Sequence, residues 1–323
     1  MSTTEYASAV AEIRAMESSL LSYSDIERMI GASNLSEVSD ILTSCGREPH
    51  NDLSKLQQAL DNELEEVWNS IHDFIGENEE LNILLYKNDF HNLKAAMKAL
   101  IMNVEPQRYF LKPTVVNLDE LPAIVANKRY DELPWYMREP AEKAYEVLTR
   151  TLDGQLADAI LDTSALNAMQ NSAMILHSDF MQKYAQLITV CSDIKTSYRC
   201  SRLNKSENFL ETALCGSSEL DKTSLLRASI SGTDGFISFL ENSSYYEAAE
   251  KLKVSTVLFE KWCDDLIMSY VKSAKMKCFG IEPLAAYYIA KETEIKNLRI
   301  LLVCKNCGVS NEKTMERMRR LYV

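Results

Sequence analysis

The stretch Gly280-Ile281-Glu282-Pro283-Leu284-Ala285-Ala286-Tyr287-Tyr288-Ile289-Ala290-Lys291-Glu292-Thr293-Glu294-Ile295-Lys296-Asn297-Leu298-Arg299-Ile300-Leu301-Leu302-Val303-Cys304-Lys305-Asn306-Cys307-Gly308 reads as one long helix with marked ends. Gly280 breaks what precedes it, and Pro283 falls in the first turn, where a missing N–H does no harm. Glu282 puts negative charge at the positive end of the helix dipole. At the other end Gly308 can take the left-handed conformation that stops a helix, with Lys305 nearby. Leu284, Tyr288, Ile295, Leu298 and Leu302 make an apolar stripe at helical spacing. Glu292 and Lys296 stand four apart in the order that favours pairing, with Arg299 one turn on. No reactive constellation lies within it, so it reads as a scaffold helix.

Parts of this helix recur. Asp89-Phe-His-Asn-Leu-Lys matches Glu294-Ile-Lys-Asn-Leu-Arg: acid, Asn92 with Asn297, Leu93 with Leu298, Lys94 with Arg299. A weaker middle copy starts at Asp193, with Ile194, Lys195 and Arg199. The three starts, 89, 193 and 294, lie 104 and 101 residues apart. A second block precedes each: Ile30 to Val38, Val125 to Leu133 and Leu240 to Ala248 share apolar-x4-(Leu/Tyr)-x-Glu-apolar. Glu37, Glu132 and Glu247 thus hold equivalent places. Two ordered blocks recurring three times indicate three helical repeats of about 100 residues, a size that can bury its own core.

The 323 residues are 46% hydrophobic and 25% charged, an ordinary globular balance, with only 9 Gly and 7 Pro. Few turn residues and little strand-like alternation indicate an all-α fold. A net charge of −12 argues against general nucleic-acid binding, which needs a basic face, and equally against a polybasic hold on anionic lipid. The longest apolar runs, such as 300–303, fall far short of the ~20 residues that cross a bilayer. Eight irregularly spaced Cys and no leader pattern suit a reducing cytoplasm.

Along the chain, residues 5–21 read as an amphipathic helix, Ser24 as the cap of a helix from Asp25, and Asn34 or Ser36 as the next cap. A long helix follows over 53–74, then its partner over 81–102. Between Asp52 and Glu80 nine acids face one base, Lys55; this is a solvated face, or a docking surface for a basic partner or the chain's own C-terminus. Five prolines between 106 and 140 mark the first junction, and 217–222 the second. The boundaries drawn are 1–104, 105–216 and 217–323. One helical stretch is expected from about 140 to 175, another over 178–203, then helices within 234–252, 255–275 and from Asn311.

Candidate chemistry is sparse. Cys304-Lys-Asn-Cys307 could be half a zinc site or a redox pair, but a second pair at suitable spacing is missing. The histidines (His50, His72, His91, His177) share no spacing. Cys263-Asp264-Asp265 lacks a further acid, and no phosphate loop or nucleophile elbow occurs. No catalytic, metal or cofactor residues are therefore assigned. Glu37, Glu132 and Glu247 could form a ring of acids or cap their own hairpins. The basic tail, Lys313, Arg317, Arg319 and Arg320, could pair with the acidic 52–80 helix or meet a partner.

The segment Glu282-Pro-Leu-x-Ala-Tyr followed by Ala290-Lys-Glu-x-Glu-Ile-Lys-Asn-Leu-Arg299, with the terminal Leu321-Tyr-Val, resembles the C subunit of bacterial and archaeal V/A-type rotary ATPases, counterpart of the eukaryotic V-ATPase d subunit. So do Leu20 to Ala32, the threefold repeat and the length. The resemblance implies a funnel-like pseudo-threefold body and a non-catalytic central-stalk adaptor, present once per complex. It implies partners as well: the axle subunits D and F, and the membrane proteolipid ring that moves protons or sodium ions. The place implied is the cytoplasmic side of the plasma membrane, without insertion. Glu282, Pro283, Tyr287, Lys291, Glu292, Glu294, Asn297 and Arg299 are the structural or interaction residues it singles out. An unrelated all-α adaptor, or a helical enzyme whose acids converge in space, are the alternatives.

Overall fold

A computed structural model describes residues 3–49 and 52–323; His50 lies outside them. The described residues are helical, with no strand among them. In chain order the α-helices are α1 Thr3–Glu17, α2 Tyr23–Gly31, α3 Leu35–Ser44, α4 Leu53–Ile75, α5 Glu79–Asn82, α6 Tyr86–Met102, α7 Leu121–Ala126, α8 Arg138–Thr151, α9 Gly154–Ile175 and α10 Asp179–Leu203. They continue as α11 Glu207–Ala213, α12 Lys222–Ile230, α13 Gly232–Glu241, α14 Tyr246–Val254, α15 Thr256–Val271, α16 Glu282–Asn306 and α17 Asn311–Arg317.

Several ends differ from the sequence reading for local reasons. Ser22, not Ser24, caps α2, in a reciprocal box with Asp25. Asn34 caps α3 by accepting from Glu37 N. The stretch read as one helix over 140–175 is two, because Leu152 turns left-handed and Asp153 caps the restart at Gln155 N and Leu156 N. Residues 272–276 tighten into a 3-10 turn after α15.

The chain forms two compact units, Met1–Asn78 with Val254–Val323, and Glu79–Lys253. In the first, α16 packs against α1, α4, α2 and α3. Its core holds Ile13, Met29, Val38, Phe259, Tyr287 and Leu298, and Trp68 meets Tyr288 edge to face with ring centroids 5.1 Å apart. In the second, α9 packs against α6, α8 and α10, with Phe90, Leu121, Met169, Met181, Ile194 and Phe236 inside. The apolar ends of the second recurring block, Ile30 with Val38, Val125 with Leu133 and Leu240 with Ala248, are all buried.

Three long helices end alike. In α6 the buried Asn92 accepts from Leu111 N (2.8 Å) and donates to Leu111 O (2.8 Å). In α16 the buried Asn297 does the same to Arg319, at 2.8 and 2.9 Å. In α10 the position is filled by Asp193, which has no donor and so takes two successive N–H groups, Cys215 (3.0 Å) and Gly216 (2.7 Å). Eleven residues beyond each clamp the chain turns left-handed, at Asn103, Asn204 and Gly308. The next residue then closes the helix by a backbone bond to Ala99, Cys200 or Cys304. Asp193 therefore stands with Asn92 and Asn297, three residues away from the alignment that set it beside Asp89 and Glu294. Val190 takes that acid's place in α10. Two of these helices pack on short helices that follow the next junction in sequence, α6 on α7 and α10 on α12 and α13, whereas α16 packs on α2 and α3 from the start of the chain.

Candidate functional site

Helix α16 starts with Pro283 in its first turn and no side-chain cap. Gly280 precedes it at φ 93°, with the Glu282 carboxylate folded back so closely that a Cβ on Gly280 would lie 2.4 Å from it. Pro283 through Lys291 are buried without a break. The apolar stripe read from the sequence, Leu284, Tyr288, Ile295, Leu298 and Leu302, is wholly inside. Burial extends around the helix, which is why charged residues of the segment end up in the interior.

Glu294 is 1% exposed and Lys291 3%. Burying either charge alone would cost several kcal/mol, and each is held by a network. Lys291 Nζ donates to Glu294 Oε1 (2.8 Å) and to Glu63 Oε1 of α4 (3.0 Å). Arg47 forks onto Glu63 at 2.9 and 3.0 Å and also reaches Glu294 Oε1. The second Glu294 oxygen accepts from Leu21 N, just ahead of α2. Two cations and two carboxylates balance. For Glu63 burial would raise the carboxyl pKa, but Lys291 and Arg47 outweigh it and hold the group below its ordinary value. For Lys291 burial would lower the ammonium pKa, yet Glu294 and Glu63 keep it raised. Arg47 and Glu63 also line a cleft of about 600 Å³ between the end of α3 and α4, with Lys55 and Glu66 at its edge.

The other polar residues of α16 likewise hold their own chain. Asn297 clamps Arg319, Lys296 pairs with Asp264 of α15 at 2.7 Å, and Arg299 pairs with Asp61 of α4. Lys305 donates to Ile30 O and Ala32 O at the end of α2. The pairing of Glu292 with Lys296 expected from their spacing gives way to these: Lys296 is drawn to Asp264, and Glu292 is half-buried. Of the eight signature residues, Pro283, Tyr287, Lys291, Glu294 and Asn297 are buried, while Glu282, Glu292 and Arg299 are half-buried. The segment works as a hub that ties the C-terminal helices to α1–α4.

Glu37 accepts from Ser33 N (2.7 Å), Glu132 pairs with Arg129 (2.7 Å), and Glu247 sits in the first turn of α14. In the basic tail, Arg319 pairs with Asp264 and Arg320 N donates to Asp265, so these two residues hold the tail on α15, and of the two readings left open for its charge, pairing with the acidic helix is not made by them. That helix instead gives Glu63 and Asp61 to α16. Cys304 is buried, Cys307 is exposed, and both are free thiols.

Sequence reasoning missed the second unit's counterpart of the network. Asp89, fully buried, accepts from Val115 N (3.0 Å), Val116 N (3.2 Å) and Tyr136 OH (2.8 Å). Burial pushes its pKa up to about 6 against these bonds, and Asp193 likewise rises to about 6. The only advance signal was that Asp89 opened a recurring block. No helix among the described residues is long and apolar enough to cross a membrane.

Fold and hub together define an all-helical protein whose most distinctive segment serves its own assembly. The chain belongs to the ATP synthase (C/AC39) subunit family, whose model matches residues 9–317. It is 26% identical to the C subunit of the V-type sodium ATPase of Enterococcus hirae, over 96% of this chain and 97% of that protein. It is 24% identical to the C subunit of the A-type ATP synthase of Methanocaldococcus jannaschii, over 92% of this chain and 82% of that one.

Proposed function

We propose that this chain is the non-catalytic central-stalk adaptor of a rotary V/A-type ATPase or ATP synthase, coupling the D–F axle to the membrane proteolipid ring. End-to-end coverage of a relative named as the C subunit of a V-type sodium ATPase carries this reading. An adaptor that transmits torque needs stiffness and broad contact in place of a reactive pocket. A hub helix joined to Leu21, Arg47, α4 and Arg319 by buried or partly buried bonds meets the first need. The adaptor is present once per complex, peripheral on the cytoplasmic side. The recurring clamps at Asn92, Asp193 and Asn297 support three homologous repeats, drawn as 1–104, 105–216 and 217–323. The eight signature residues then act mainly by holding the fold, and partners bind elsewhere.

Co-migration on a sizing column tests the reading. The purified chain is run with the D–F pair of the same organism, then with the detergent-solubilised ring. Stable complexes with both are expected. A well-folded chain that joins neither overturns the proposal.

A further inference from the structure

The 3-10 turn after α15 carries Lys272 and Lys275 and is followed by Lys277, and the sequence from Leu266 to Ile281 contains no acid, in a chain with 47 Asp and Glu. Arg320 comes close enough to add to the charge: burial first, then Lys275 and Arg320, lower the Lys272 ammonium pKa. Beside these cations in the chain stand the apolar Met276, 86% exposed, and Phe279, 57% exposed. The turn is fixed from behind, since Arg14 of α1 donates to the carbonyls of Ala274 (2.9 Å), Lys275 (3.1 Å) and Lys277 (2.9 Å). Lys275 lies over the Tyr322 ring, 4.7 Å from its centroid, and Lys277 is 3.8 Å from Glu282, a loose pairing.

A like-charged cluster on a protein of net charge −12 is held together at a cost that an anionic surface would relieve. The apolar residues are two side chains standing out from a rigid turn. That shape suits insertion at a headgroup–acyl boundary better than a protein partner, which needs a broad fitted face. Lysines supply compact charges on flexible stems, matched to a diffuse anionic layer more than to one fixed carboxylate. We propose that residues 272–279, with Arg320, form an interfacial contact for an anionic phospholipid bilayer, Met276 and Phe279 entering the headgroup layer beside the lysines. This deepens the adaptor reading, on which it rests only for placing the chain beside a membrane, and it departs from the expectation drawn from the overall charge, because the acids that make the chain negative are absent from 266–281.

The test is vesicle flotation of the full-length protein, with phosphatidylcholine alone and phosphatidylcholine mixed with phosphatidylglycerol, at low and high salt. Binding to the mixed vesicles only, weakened by salt, is expected. Each surface lysine is worth about fivefold in partitioning, so replacing Lys272, Lys275 and Lys277 by Gln should reduce it on the order of a hundredfold. M276S/F279S should also weaken binding, and circular dichroism checks that both variants keep the helical fold. Folded protein that ignores the mixed vesicles, binds neutral ones equally well, or is unaffected by either set of changes overturns the inference. If it ignores lipid yet co-migrates with axle and ring, this inference fails and the adaptor reading stands; if the turn variants lose ring binding instead, the patch serves an acidic protein.

Discussion

At the scale of single residues, the chemistry of the clamp explains which amino acid stands where. Asn297 both gives and takes a bond with Arg319, whereas Asp193 only takes. Exchanging them should fail in both directions. N297D sets a carboxylate oxygen against the Arg319 carbonyl, and D193N turns an amide N–H toward the Gly216 N–H. Each should cost about 1–3 kcal/mol in urea unfolding, the penalty of a buried group left unpaired. Glu294→Ala should cost more, about 3–5 kcal/mol, since Lys291 stays buried without its nearest carboxylate and Leu21 N loses its acceptor.

Asp89 gives a pH signature. Its folded pKa of about 6 exceeds the ordinary 3.8, so the folded state binds the proton more tightly than the unfolded chain. Stability from this group therefore rises as pH falls through about 6, is complete below 3.8, and is lost again as pH climbs. Asp193 acts in the same direction. Glu63, held low, acts oppositely and loses its contribution as pH falls through its depressed folded value. D89N can still accept from Val115 and Val116 and donate to the Tyr136 oxygen. It should fold, and thermal melts between about pH 4 and pH 7 should show a flatter profile than the parent; an unchanged slope would mean Asp89 does not titrate there.

At the scale of elements, the sequence revealed α16 almost to the residue, because Gly280, Pro283 and Gly308 mark its ends and Leu284 to Leu302 its apolar face. Its role as a hub was hidden. Lys291 and Glu294 stand three apart on the helix, and nothing local says that α4 and Arg47 will cover them. The same blindness set Glu292 with Lys296, which a third element, α15, decides otherwise. The break between α8 and α9 was legible in Asp153-Gly154, a turn pair that the apolar spacing around it masks. The middle clamp escaped because Asp replaces Asn there, and matching by residue type slid the register by three. Gly216, at φ 76°, sits where a Cβ would lie 2.8 Å from Lys222 Cβ and 2.9 Å from its backbone N. G216A should therefore destabilise the second unit by about 2–4 kcal/mol, through strain and a clash with backbone that cannot move aside; a thermal shift near zero would show that this junction rearranges freely.

At the scale of the whole molecule, family membership was readable in advance because the segment that carries it is the buried hub, whose residues are constrained by many partners at once. Binding surfaces leave a weaker trace, since exposed side chains answer to a partner absent from the chain. The turn at 272–279 stands out only after the fold shows Met276 and Phe279 projecting. The proposed role is to couple rotation in the axle to the ring. The most direct measurement is ion uptake and ATP hydrolysis by the complex reconstituted in vesicles, with and without this adaptor. Without it, hydrolysis by the head should persist while ion uptake disappears, and adding the purified chain should restore uptake. Equal ion uptake in its absence would contradict the coupling role.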